Sequence, residues 1–257
     1  MNSDNSKQRL STVDRAMSLL TLFLKYESLS LVDIEREMEI SKTAAFRLAV
    51  TMSERGFLVK DAKTKQYSPG PILFQLVRKF EVNDIVTISQ PFIQELARIT
   101  EETVYLSIRS GHRYIYITGV DSTKALKVTS PIGDELDLYY GAAGKLHMAF
   151  MSLAEIDNYL KRTVFESFTP YTRSNKKQLS EDLARIREYG YSVSLGERES
   201  ESGGVAVPIW GQEEEPTAVL GIYLPLTRMR QQKLVKLAME YADQIATKFN
   251  TKKAGGS

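Results

Sequence analysis

Lys42, Thr43, Phe46 and Arg47 are the residues whose types and spacing most suggest chemistry in this chain. Stepped at 100° per residue around Leu48, they share one side of a helix with Val50 and Ser53. Ala44, Ala45 and Met52 fall on the Leu48 side, with Ser41 at the start. A cation, an aromatic edge and a guanidinium on one helical face suit a DNA major groove. Phe46 can touch a thymine methyl, Arg47 can reach a guanine or a phosphate, and Ser41 and Lys42 sit at the phosphate-facing N-terminus. The same geometry would let Phe46 pack on another helix or on a partner subunit. Further on, Lys60 stands on a short strand, and Lys63 and Lys65 stand in the turn that follows. There they would meet backbone phosphates, which gives affinity and salt dependence rather than sequence choice.

Catalytic and metal chemistry find less support. Gly141-Ala142-Ala143-Gly144-Lys145 has the glycines and lysine of a phosphate loop, but not the four-residue spacer or the Ser/Thr after the lysine. Lys145 has no organised serine beside it and reads as helix-start packing. His112 and His147 are the only histidines and there is no cysteine. Disulfides, thiolate metal sites and a cysteine nucleophile are excluded, and the composition fits a reducing compartment. A zinc site would need carboxylates for most of its ligands. Glu197, Glu199 and Glu201, and the run 213–215, read as solvated loops. No metal and no cofactor is expected.

The elements that must position these residues follow from periodicity. Val13, Ala16, Met17, Leu19, Leu20, Phe23 and Leu24 have helical spacing. Ser30 and Asp33 form a capping box for a short second helix through Leu31, Ile34 and Met38. Glu39 and Ile40 make a tight connection. Ser41 caps a third helix to about Arg55, ended by Gly56. Two helices across so short a turn make a helix-turn-helix. Residues 57–60 and 66–68 around a polar turn make a hairpin, the wing. Ile72 to Phe80 predicts a linking helix, with Leu73, Leu76 and Phe80 on one side. A further helix runs from Asn83-Asp84 to Thr100, and Pro91 should kink it or mark a junction.

Beyond Thr100 the pattern turns to period two. Strands are expected at 104–108, 114–120 and 126–130, helices at 142–151, 153–161 (capped by Ser152 and Glu155) and 176–189, and strands at 191–195, 205–210 and 218–224. A last helix covers 228–249, and the tail 251–257 is expected to fray. Tyr114-Ile115-Tyr116 reads as strand packing and partly as pocket wall. The order implies an α+β chain whose second domain is one antiparallel sheet with helices packed on it.

Length and composition agree with two domains. The chain has 257 residues, 42% hydrophobic and 26% charged, with a net charge of +2. The balance is uneven: the first 80 residues are net positive and the rest slightly negative. Lys42, Arg47, Arg55, Lys60, Lys63 and Lys65 cluster against Glu54 and Asp61 alone. Such a stripe is either the footprint of a nucleic-acid module or a solvated helix face. No apolar run spans a bilayer and residues 1–8 lack the apolar stretch of a signal peptide, so a cytoplasmic location is expected.

Together these landmarks resemble the IclR (isocitrate lyase regulator) family of bacterial transcription factors. They are Val13-Asp14-Arg15-Ala16, Ile40-Ser41-Lys42-Thr43, Arg47-Leu48, Glu54-Arg55-Gly56, Tyr67-Ser68-Pro69-Gly70, Gly141 to Lys145, Gly190-Tyr191 and Val205-Ala206-Val207-Pro208. The resemblance covers roughly residues 11–248. It implies a winged helix-turn-helix at 9–70, a linker helix at 71–82 and a GAF-like effector domain at 83–250. It implies homodimers or homotetramers on palindromic double-stranded operators, commonly as a repressor, with no membrane. The implied effectors are small carboxylates: glyoxylate-type acids, sugar acids or aromatic acids.

The family's pocket carries over by landmark onto Ala142 and Ala143, whose N–H groups near a helix start could hold a carboxylate, and onto Ser194, Gly204, Gly221 and Tyr223. Where relatives often have an acidic residue, a cysteine and two serines, this chain has those last four. The two glycines imply a roomier pocket and a ligand other than the smallest acids. Ala44 and Ala45 replace a more usual Thr-Val pair, which implies a different operator. Two other classes remain open: an enzyme acting on a small acid with an N-terminal partner-binding module, and a purely structural oligomer.

Overall fold

The structure, a computed structural model, describes residues 11–77 and 82–255. The chain divides into two compact units, residues 1–83 and 84–257.

In the first unit the caps decide where helices begin. α1 (Ser11–Leu22) leads to α2 (Leu31–Met38), whose Ser30 and Asp33 form the full capping box. Glu39 ends α2 with φ 52°, the left-handed turn that lets α3 (Lys42–Glu54) start at once. Ser41 caps α3 by accepting from the Ala44 N–H. β1 (Leu58–Lys60) and β2 (Tyr67–Pro69) pair antiparallel as the hairpin. Leu29 adds a bridge to Tyr67, with N–H to O distances of 2.9 and 2.8 Å, so the wing is tied to the α1–α2 loop. Leu19, Leu29, Ile34, Ala45, Ala49, Met52, Leu58 and Tyr67 form the core. The buried line of α3 is therefore Ala45–Ala49–Met52, and Leu48 is only partly buried; the expected centre is corrected by about one position. In α1 Leu19 is buried, while Val13 and Met17, and Leu24 just beyond the helix, are exposed. α4 (Pro71–Val77) follows with no buried residue. Phe80, expected on its apolar side, lies outside the described residues.

The second unit is a six-stranded antiparallel sheet in the order β5-β4-β3-β8-β7-β6. Its strands are β3 (Thr103–Ser110), β4 (Arg113–Val120), β5 (Glu135–Asp137), β6 (Ser192–Leu195), β7 (Ser202–Trp210) and β8 (Pro216–Pro225). Period two sends Val104, Leu106, Val205, Val207, Leu220 and Ile222 to one face, against α5 (Val82–Thr100) and α9 (Gln231–Gly255). Tyr105, Tyr114, Tyr116, Ala206, Val219 and Tyr223 go to the other. They pack there on α6 (Ala142–Ala149), α7 (Leu153–Arg162) and α8 (Lys176–Tyr189).

Four expectations are corrected. Residues 126–130 are not a strand. The Ser130 N–H donates to the Tyr105 hydroxyl at 3.1 Å instead of to a ladder. The edge strand β5 stands where none was expected. α5 continues through Pro91 as one helix, so Pro91 does not mark a junction; it lies on the exposed side, where its missing N–H costs least. α9 continues to Gly255, so residues 251–255 are helical.

Candidate functional site

The first candidate surface is built on α3 and the hairpin. With Ala45, Ala49 and Met52 turned inward, helical geometry turns Lys42, Thr43, Phe46 and Arg47 outward. All four are exposed, and Phe46 is 50% exposed despite its size. Ser41 is exposed beside them at the helix start. Lys60, Lys63 and Lys65 are exposed on the wing. The wing tip is shaped by Asp61, whose carboxylate accepts from the Lys63 and Thr64 N–H groups at 2.7 and 2.8 Å. Lys65 takes the left-handed conformation at φ 61°. Lys60 turns back over the Tyr67 ring, 5.3 Å from its centroid. A helix with an uncovered cationic and aromatic face and a lysine-tipped hairpin form a surface able to meet a groove and its phosphates.

The second candidate is a small cavity of about 50 Å³ on the α6 side of the sheet. Tyr105, Tyr114, Tyr116 and Tyr223 converge on it, with ring centroids 4.8 to 5.8 Å apart. Burial, first of all, raises the pKa of each phenol, so these hydroxyls stay neutral donors. Among the described residues the buried Tyr223 hydroxyl has no hydrogen-bond partner. Arg198, an exposed residue, lines the same cavity and donates to the Ser130 hydroxyl at 3.2 Å.

Of the expected effector residues, Ala142, Ser194, Gly204 and Tyr223 line this cavity, whereas Ala143 and Gly221 do not. The glycines do not widen it. A Cβ on Gly204 would lie 2.8 Å from the Tyr223 ring, and one on Gly221 would lie 2.3 Å from its hydroxyl. The space they vacate is filled by Tyr223 itself, which corrects the expectation of a roomier pocket. The helix start is also partly used. The Gly141 N–H donates to Glu197 at 2.9 Å, and the other Glu197 oxygen takes the Lys145 ammonium. Glu197 is buried rather than solvated, and Lys145 is an ion-pair partner as well as a packing residue.

Arg198 as a cavity residue, and Glu197 as the group that holds Gly141, were not legible in the sequence. Their partners Ser130 and Gly141 lie 68 and 56 positions away, and no local spacing marks them. Among the described residues no group of three or more His, Asp or Glu is placed to hold a metal ion, and no helix is long and apolar enough to cross a membrane.

A winged helix-turn-helix followed by a cavity-bearing α/β unit defines a DNA-binding protein with a second, separate domain. Residues 12–62 match the IclR helix-turn-helix domain, and residues 77–248 match the bacterial transcriptional regulator IclR C-terminal domain. The chain belongs to the IclR family of transcriptional regulators, which sets aside the enzyme reading. It is 30% identical over 242 residues to the HTH-type transcriptional regulator KipR of Bacillus subtilis, covering 93% of this chain and 96% of that protein. It is 25% identical over 232 residues to the transcriptional repressor IclR of Escherichia coli, covering 89% and 85%. Among solved structures it is similar to the Thermotoga maritima IclR, with TM-score 0.70, 27% identity and coverage of 94% and 100%. It shares its fold with an IclR homologue of Microbacterium hydrocarbonoxydans complexed with 4-hydroxybenzoate. That match has TM-score 0.84, 19% identity and coverage of 93% and 99%.

Proposed function

We propose that this regulator represses transcription by binding a palindromic operator as a homo-oligomer, and that a small carboxylate in the tyrosine-lined cavity changes that binding. The uncovered Lys42–Phe46–Arg47 face of α3 carries the DNA part of this reading. Ser41, Lys42 and Thr43 hold phosphates at the helix start. Phe46 and Arg47 read base edges, and Lys60, Lys63 and Lys65 follow the backbone. The exposed apolar side chains of α1 and α4 support an oligomer. The protein works in the cytoplasm, where its operator is.

For the effector, Arg198 is the charge that receives the carboxylate. Ser194, Ser130 and the unpartnered Tyr223 hydroxyl take its remaining oxygens, with Ala142 at the wall. A cavity this small admits an acid of a few heavy atoms; a larger ring would first have to turn Tyr223 aside. The 4-hydroxybenzoate held by the Microbacterium homologue supports acids as the class, and the small volume here favours compact ones. The path between the two units runs through the segment that includes Asp84 to Thr100.

The test is a fluorescence titration against DNA from upstream of the controlled genes. Arg47→Ala is expected to weaken specific binding by about 1–3 kcal/mol. Lys65→Ala should weaken all sequences alike and lower the salt slope by about 1. An unchanged affinity for Arg47→Ala removes base reading by α3. In parallel, a panel of two- to four-carbon acids is screened for thermal stabilisation. Arg198→Gln should abolish the shift and Tyr223→Phe should blunt it; a shift untouched by both rejects the cavity.

A further inference from the structure

A groove of about 670 Å³ runs beside the edge strand β6, between α8 and the chain entering α9. Nothing described so far uses it. One wall is an ion cluster. Lys145, 2% exposed, donates to Asp182 at 3.0 Å, to Glu197 at 2.5 Å and to the Val193 carbonyl at 3.1 Å. Asp182 also accepts from Arg173 Nε at 2.8 Å and from Arg185. Burial raises the Asp182 pKa, but the Lys145 charge and the bonds from Arg173, Lys145 and Arg185 outweigh it, so the group stays ionised. Lys145, Arg173 and Arg185 thus meet two carboxylates, which leaves one positive charge in surplus. Among the described residues Arg173 donates through Nε alone and Arg185 through one terminal nitrogen alone. Both guanidiniums therefore keep donors in hand. Ser192, 1% exposed, lines the same groove, and its buried hydroxyl has no hydrogen-bond partner among the described residues. Tyr171 and Tyr189, both more than half exposed, line the same groove.

We propose that this groove is a second small-molecule site, distinct from the tyrosine cavity, and that it takes a small oxyanion. Its ligand is a carboxylate or phosphate group on a compact body. The spare guanidinium nitrogens of Arg173 and Arg185 bind the anionic oxygens in the forked geometry that suits them. The Ser192 hydroxyl supplies a further donor, and Tyr171 and Tyr189 cover the body. The surplus charge matches a single negative group.

Glu197 links this groove to the cavity. One of its oxygens holds Lys145 in the groove wall, and the other holds Gly141 in the cavity wall. Its neighbour Arg198 lines the cavity. An anion that draws Arg173 and Arg185 from Asp182 redistributes Lys145 between its two carboxylates and so moves the seat of Glu197. Occupancy of either site then alters affinity at the other, and the effect is mutual by linkage.

Isothermal titration of the full chain with inorganic phosphate, and separately with acetate, tests this. Ionic strength is held constant with chloride. Saturable binding is expected for at least one of the two, and the tighter one identifies the class. Arg173→Gln should weaken phosphate binding at least tenfold and Ser192→Ala several-fold; acetate, which the tyrosine cavity also admits, is titrated only into Arg198→Gln, where adding Arg173→Gln should cause as large a loss. Should Arg173→Gln fail to fold, Arg185→Gln, at a largely exposed side chain, serves in its place with at least a threefold loss expected. Three results overturn the proposal: no saturable heat with either anion, equal affinity in the groove variants, or phosphate binding lost in Arg198→Gln but kept in Arg173→Gln.

Discussion

His147 lies inside the second unit, 3% exposed, with Nε2 3.0 Å from the Ser107 hydroxyl. Burial, and after it the Arg109 charge, push its pKa down to about 3. The unfolded chain, near 6.5, takes up the proton first. The stability His147 contributes is therefore fully present above about pH 6.5 and is lost as pH falls toward 3, at up to about 1.4 kcal/mol per unit. Urea melts at pH 7 and pH 5 should show this loss, and His147→Gln should flatten it. Equal losses in both proteins would assign the proton elsewhere. Asp182, held down by its cations, loses its contribution only below the ordinary aspartate range. Little of this was legible residue by residue. Tyr114 and Tyr116 were readable as partly pocket wall from alternation alone. The effect of Gly204 and Gly221 was not, because what fills their space is a ring arriving from Tyr223.

Among the elements, local chemistry was the readable part. Ser30, Ser41 and Ser152 cap helices because each needs only a donor a few residues on. The segment 126–130 has strand-like composition but no neighbour to pair with, and β5 is too short and too charged to signal itself. The wing depends on a closer fit. A Cβ on Gly70 would lie 2.2 Å from the Gly56 carbonyl oxygen, a backbone atom that cannot swing away. Gly70→Ala should destabilise the first unit by about 1–3 kcal/mol. Its hairpin amides should exchange faster with deuterium, and an unchanged melt would mean that the two chains can separate there at little cost.

At the scale of the whole molecule, several large apolar side chains remain uncovered. Val13 and Met17 on α1, and Phe74, Leu76 and Val77 on α4, are all 46% exposed or more. Helical spacing predicted these helices, but spacing does not tell whether a stripe meets its own core or another chain. If they meet a second copy, Phe74→Glu should shift sedimentation toward the smaller species and weaken binding to a two-half-site operator more than to a single half-site. Sedimentation identical to the parent would move the interface elsewhere. Glu197 has a consequence for how such an assembly responds. By resting on the Gly141 amide, at the cap of α6, it places a fixed negative charge at the end of a helix that would otherwise attract an acid. For an acid in the proposed cavity, gaining that amide would mean displacing a tethered carboxylate, so a weakly held acid would draw no help from the helix end.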